Sequence, residues 1–258
     1  MTYLMAAQAA EFARLRLQAQ VWEPAGERLL ARLGDGSGLN VLDVGCGAYG
    51  WLPILSRWVG PGRVTGTDID EGLLAAAAEL ALPNVELAND DLFNSSLPEA
   101  SFDLVHARFE MAPIGRYNEQ LRAHKRLLKP GGWLILEEPD TGSWHFNPPA
   151  PAGEQIVELL RKVFLAGGGN LDAGRELPSL LRYLGIEPEI DAQVLALPAS
   201  HPYGRNHIAF SISLEARLAQ LLPVEELRAL RADAEREIAD PQRWSTPFTL
   251  IQAWGRIP

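Results

Sequence analysis

The chain has 258 residues, enough for one α/β domain with added segments, and its 47% hydrophobic and 22% charged residues match a protein that buries a full core. A formal net charge of −10 sets its surface against phosphate backbones and anionic lipid, so nucleic acid and membrane are not expected partners. A single cysteine, Cys46, excludes an intrachain disulfide, no Cys/His cluster has zinc spacing, and so no metal site is expected. No apolar run is long enough to span a bilayer and the N-terminal stretch lacks a signal-peptide cleavage pattern, which together predict a cytoplasmic protein.

Apolar spacing predicts helices over residues 5–20 and 22–33, the second ending near Gly34. The run VLDV (41–44) is short, apolar and closed by glycines, as a buried parallel strand would be. A helix follows over 51–58, a strand over 62–70, and an alanine- and leucine-rich helix over 71–81. Strands are expected at 84–89 and 101–108, a helix at 116–128, a turn at 129–132 and a strand at 133–138. This alternation points to a parallel sheet with helices on both faces.

The rhythm breaks after 139. A proline-rich loop over 139–153 precedes helices at 154–166 and 175–184, each stopped by glycine. A strand is expected at 188–198, a helical stretch from 198–206 onward, a charged helical segment over 214–239 broken near Pro223, and a last strand at 248–256. The whole chain, 1–258, reads as a single domain. Within it, 1–36 is a helical lid carrying Tyr3, Gln18, Gln20 and Trp22, and 142–184 and 200–240 are helical insertions that build a substrate pocket.

The first strand runs into Asp43-Val44-Gly45-Cys46-Gly47-Ala48-Tyr49-Gly50. Its glycines let the backbone turn tightly and approach a ligand, and the helix that follows attracts anionic groups. Alone, the loop also fits a dinucleotide fingerprint with glycines 45, 47 and 50, and Asp68 lies where an acid would hold ribose hydroxyls in either kind of cofactor.

The wider context distinguishes the two. VLDVGCG resembles the first motif of class I S-adenosylmethionine (SAM) dependent methyltransferases, and VTGTDID their second. NDDLFNSSLPEASFDLVHAR resembles the third and fourth motifs, LLKPGGWLILEEP the motif before and along the fifth strand, and FTLIQAWGR the last strand. The resemblance implies a Rossmann-like seven-stranded sheet of order 3-2-1-4-5-7-6 with strand 7 antiparallel. SAM would lie across the carboxyl ends of the strands, at the switch point where open parallel sheets bind ligands.

On that resemblance Asp68 accepts the ribose hydroxyls, Ile69 packs on adenine, and Asp91, with Asp90 as a near alternative, accepts the adenine amino group beside the Leu92 amide. Gly45 and Gly47 admit the methionine portion, Asp43 orients the loop or receives the ammonium, and Ala107 and Arg108 flank the amino-acid end. Arg108 pairs equally well with Glu110 at the surface. Asp103 is expected to be structural and Cys46 to pack rather than attack. Tyr49 and Trp51 stand where the family usually has small residues; they either cover the sulfonium or pack into the next helix.

Methyl transfer needs in-line positioning, and a base only for a hydroxyl or protonated amine. Candidates outside the motifs are His106, Glu138, His145, His201, Tyr203 and His207. His145 and His201, on loops expected to reach the top of the sheet, rank first, with Glu138 at the end of the fifth strand. The late segments, rich in leucine and aromatics such as Trp144, Phe146, Phe164 and Phe210, suit a small, largely apolar acceptor or a dimer interface. The expected function is SAM-dependent methyl transfer to an O-, N- or C-acceptor, with S-adenosylhomocysteine as by-product, by a monomer or homodimer. The alternatives are a SAM-binding enzyme that cyclises or isomerises its substrate, a nicotinamide-dependent oxidoreductase, and a scaffold on a retained fold.

Overall fold

A computed structural model describes residues 9–258. The chain runs through α1 (Ala9–Leu33), β1 (Asn40–Val44), α2 (Leu52–Val59), β2 (Arg63–Asp68), α3 (Glu71–Ala78), β3 (Val85–Asn89), β4 (Phe102–Arg108), α4 (Met111–Ile114), α5 (Tyr117–Leu127) and β5 (Leu128–Asp140). It continues with β6 (His145–Asn147), α6 (Pro151–Ala166), α7 (Leu177–Tyr183), β7 (Glu189–Gln193), β8 (Leu197–Pro198), α8 (Asn206–Ser213), α9 (Glu215–Leu218), α10 (Val224–Ile238), β9 (Trp244–Thr246) and β10 (Thr249–Arg256).

The main sheet has seven strands in the order β3-β2-β1-β4-β5-β10-β7. Pairing is parallel from β3 to β5, while β10 runs antiparallel between β5 and β7. This is the order and sense expected from the motifs. Central β1 is flanked on both sides and buries Val41 through Val44, so a continuous apolar run is what its position requires. Asp70 caps α3 by accepting from the amides of Gly72 and Leu73 at 2.8 and 3.1 Å, which fixes where β2 gives way to helix.

Two apolar clusters cover the sheet, one around Leu42, Val105, Leu121, Leu134 and Leu181, the other around Leu29, Trp51, Leu55, Val64 and Trp254. A third forms beyond the strand ends from Trp22, Trp144, Phe146, Leu160, Phe164, Tyr203, Phe210, Leu227 and Phe248. It is held by α6 packed on α8 and α10, and by α1 packed on α8.

Several boundaries differ from expectation. The two N-terminal helices are one, α1, with Pro24 inside it; residues 5–8 and Tyr3 lie outside the described residues. Its aromatic and leucine contacts on both sides of Pro24 hold the helix together despite the hydrogen bond that proline cannot make. The expected strand at 188–198 is two strands in different sheets, because β8 leaves the main sheet to join β9 and β6. This small sheet was missed: β6 and β9 have three residues each, too few to show a period. The turn at 129–132 is drawn into a continuous β5, with Gly131 at φ 74°.

Candidate functional site

A cavity of about 980 Å³ opens at the carboxyl ends of β1, β2 and β4 and extends under the third apolar cluster. Ala107, expected to flank the amino-acid end, is fully buried in β4 and does not line it, whereas Asp43, Gly45, Gly47, Asp68, Ile69, Asp90, Asp91, Leu92 and Arg108 do. Four separate strand-to-loop transitions bring them together.

The glycine loop sets the floor. Gly45 and Gly47 have φ of 60° and 58°, conformations costly for any residue with a Cβ. A Cβ at Gly50 would stand 2.7 Å from the Cys46 carbonyl, so this third glycine is required by the close turn. The Cys46 amide donates to Thr67 O at 2.9 Å, tying the loop to β2, and the Gly47 amide donates to Asp68 Oδ2 at 3.0 Å. Asp68 Oδ1 accepts from the Asp70 amide at 2.9 Å. Burial raises the Asp68 pKa above the ordinary carboxylate value, with the two amides pulling the other way. Burial, reinforced by Asp43 and Asp68, pushes the Cys46 thiol well up, which leaves it a packing group as expected.

Beneath the loop lies a buried charge cluster. Asp43 Oδ1 meets His106 Nδ1 at 2.6 Å, and His106 Nε2 meets Glu137 Oε2 at 3.2 Å. Burial works against the imidazolium, but the two carboxylates outweigh it and hold the His106 pKa above its ordinary value. Trp51 stacks on the His106 ring at 3.9 Å and is 1% exposed, so it packs rather than forming an open cover. Tyr49 lines the cavity and accepts a hydrogen bond from Arg16 of α1 at 3.1 Å.

Among the described residues of this wall, Asp43 Oδ2, Trp51 Nε1 and Arg108 Nη1 are buried without a protein partner. Arg108 lies 3.9 Å from Glu137, not against Glu110 at the surface as the sequence allowed. Glu110 is itself 8% exposed, lines the cavity near Gly45 and meets His124 Nε2 at 3.2 Å. Sequence reasoning missed it as a wall residue, because its burial depends on α4 folding back over the loop. At the far edge Asp91 uses both oxygens locally, accepting from Phe93 N at 3.0 Å and Asn94 Nδ2 at 2.9 Å. Asp90 uses only Oδ1, toward Ser96. Asp103 is structural as expected, accepting from the Asn40 amide and Lys129.

The catalytic candidates need correction, because none of the three ranked first lines the cavity. His145 is exposed on β6, outside it. His201 also lies outside and accepts from the Tyr203 amide through Nδ1 at 3.2 Å, starting a helical turn. Glu138 is fully buried and accepts from the amides of Glu110, Met111 and Ala112 at 2.7–3.0 Å, which anchors α4; burial drives its pKa up to about 8 against the pull of those amides. Tyr203 is buried and hydrogen-bonds Trp22 at 3.1 Å. His207 is buried against Trp144 and Phe146, and burial lowers its pKa to about 3, so it is neutral.

Residues 41–132 match the methyltransferase domain family. Over 159 residues the chain is 32% identical to the demethylmenaquinone methyltransferase of Staphylococcus aureus (strain JH9), a match covering 60% of this chain and 62% of that protein, just under two thirds of the relative's length. The crystal structure of the Bacillus subtilis YcgJ protein superposes with a TM-score of 0.58 at 14% identity, over 89% of this chain and 97% of that one. The [4+2]-cyclase SpnF superposes at 0.52 with 20% identity, over 92% of this chain and 84% of that one; both are likenesses of fold. Among the described residues no helix is long and apolar enough to cross a membrane. The motifs in order, the sheet order and the strand-end cavity are those of the Rossmann-like methyltransferase fold, and residues 41–132 carry the match to the methyltransferase domain.

Proposed function

We propose that the protein is a SAM-dependent methyltransferase acting on a small, largely apolar acceptor. The observation that carries this reading is the convergence of Asp43, Asp68, Asp90, Asp91 and Arg108 with the turning glycines on one cavity. The cofactor would supply a methyl group on a sulfonium, which leaves a neutral thioether when the methyl departs. The unpartnered Arg108 Nη1 and Asp43 Oδ2 suit the carboxylate and ammonium of its amino-acid end. Asp68 suits the ribose diol, exposed Ile69 the adenine face, and the Leu92 amide with Asp90 or Asp91 the adenine edge. Residues 9–36, the described part of the segment 1–36, serve as lid and the segments 142–184 and 200–240 as acceptor walls; Gln18 of α1 and Phe164, Phe210 and Arg217 of those segments line the same cavity.

The chain's own residues act by position. Among the described residues His106 is the one histidine in the cavity wall, and both its nitrogens face carboxylates. Holding the acceptor in line in a dry cavity is therefore the main contribution of the protein. The absence of an open histidine from the described wall keeps a second reading, a SAM-assisted cyclisation, beside the first; the fold neighbour SpnF is a cyclase. A nicotinamide enzyme is disfavoured by the family of residues 41–132.

Titration calorimetry with SAM and with NAD tests the cofactor. Heat with NAD and none with SAM overturns the proposal. Incubation with a cell extract and methyl-labelled SAM then separates transfer from cyclisation, because only transfer moves label to a new molecule.

A further inference from the structure

The helical side of the cavity holds a polar group with nothing to bind. Asn206 opens α8, lines the cavity and is 4% exposed, yet its Oδ1 has no hydrogen-bond partner. An amide oxygen so placed has lost water and gained no partner, a state native chains rarely keep unless a ligand completes it. The neighbouring Thr141, Gln18 and Arg14 are engaged by protein partners. The Thr141 hydroxyl lies between Asp172 and Arg161, Gln18 accepts from Arg14, and Arg14 forks onto Glu11. Arg217 is partly exposed, so water meets its charge.

The surroundings of Asn206 are aromatic. Phe210 lies four residues on, on the same helix face, lines the cavity and packs on Phe164 with ring centres 5.6 Å apart. Trp144 and Phe248, also in the wall, meet edge-on at 6.1 Å. His207, next to Asn206, stands edge-on to Trp144 at 6.1 Å and so ties α8 to that pair.

We infer that the acceptor is a flat apolar ring system bearing one uncharged hydroxyl or carbonyl group, and that Asn206 recognises that group. Aromatic walls favour a ring with faces and edges to match. A primary amide both donates and accepts, which a hydroxyl can answer on both counts, whereas a carboxylate in this wall would lose its hydration for a neutral partner. The inference rests on the methyltransferase reading for the division of the cavity into cofactor and acceptor parts.

The test uses the full chain loaded with S-adenosylhomocysteine, with 2-naphthol, 2-naphthoate and naphthalene as probes, read by tryptophan fluorescence and calorimetry. We expect 2-naphthol to bind at least tenfold more tightly than 2-naphthoate. Asn206→Ala should weaken 2-naphthol about tenfold, the effect of one neutral hydrogen bond in a dry site, and leave naphthalene and S-adenosylhomocysteine unchanged. Asn206→Asp, of equal size but charged, should weaken 2-naphthol at least as much. Naphthoate binding as tightly as naphthol, no naphthol binding to the loaded chain, or an unchanged naphthol affinity in Asn206→Ala would overturn the inference. Failure of the wild-type chain to take up S-adenosylhomocysteine overturns the cofactor reading instead, and is visible before any probe is added.

Discussion

The floor of the cavity and its roof are made in different ways. On the floor, between residues 43 and 110, two of the carboxylates are held by amides close by in sequence or on the adjacent loop: Asp68 by Gly47 and Asp70, Asp91 by Phe93. The roof draws Gln18, Trp144, Phe164, Asn206, Phe210 and Phe248 from widely separated segments, and its four aromatic members are held by apolar packing. A floor of short-range polar contacts can be rigid whatever covers it, whereas a roof of packed aromatics can be reshaped for another acceptor without disturbing the floor. The comparison predicts that substitutions will separate into those that change cofactor affinity and those that change acceptor affinity or stability.

The largest effect should come where the two regions meet. Gly115, at φ 64°, ends α4, and a Cβ there would stand 2.0 Å from the Gly168 carbonyl in the loop after α6. Gly115→Ala should cost about 3–4 kcal/mol of stability, adding a left-handed backbone to a backbone clash, as a denaturant melt would show. A loss under about 1 kcal/mol would mean the two regions slide freely past each other.

Next comes the pH response of the roof. His207 titrates near its ordinary value when unfolded but at about 3 when folded, so the unfolded chain binds the extra proton between those values. Stability should therefore fall with acid through that window, by roughly 3 kcal/mol from pH 6.5 to 4. His207→Leu should flatten the slope; an unchanged slope would place the acid sensitivity elsewhere, for instance on the floor.

On the floor, Asp68→Ala should weaken SAM about 100-fold, near 2.7 kcal/mol, in titration calorimetry, because the proposed role of Asp68 is to accept two charge-assisted hydrogen bonds from the ribose. The smallest effect is expected of Phe210→Leu, which trims the roof: acceptor KM should rise roughly threefold through lost apolar contact, with SAM affinity unmoved. A loss of SAM affinity in Phe210→Leu would break the division between floor and roof.

Much of the floor was legible because its signals are local. Strand periods ending in glycine or acid, and the register of Asp43, Asp68 and Asp91 against the family motifs, place side chains at strand ends without any knowledge of packing. What failed were the histidines and Glu138, whose roles depend on partners far along the chain. His106 meets Asp43 across 63 residues and Glu137 across 31. His207 is silenced by aromatics from the segment around β6. Nothing in the neighbourhood of His145 or His201 in sequence marks them as lying outside the cavity.

The sequence by itself determined the alternation of strand and helix and the parallel sheet, since hydrophobic period and turn chemistry act over a few residues, and its motifs placed carboxylates at the strand ends. Only the tertiary structure decided that α1 is unbroken across Pro24, that residues 188–198 divide between two sheets, and which polar groups end buried with or without a partner. Those outcomes depend on contacts such as Trp22 with Tyr203, 181 residues apart, whose energy appears only when the whole chain has closed around them.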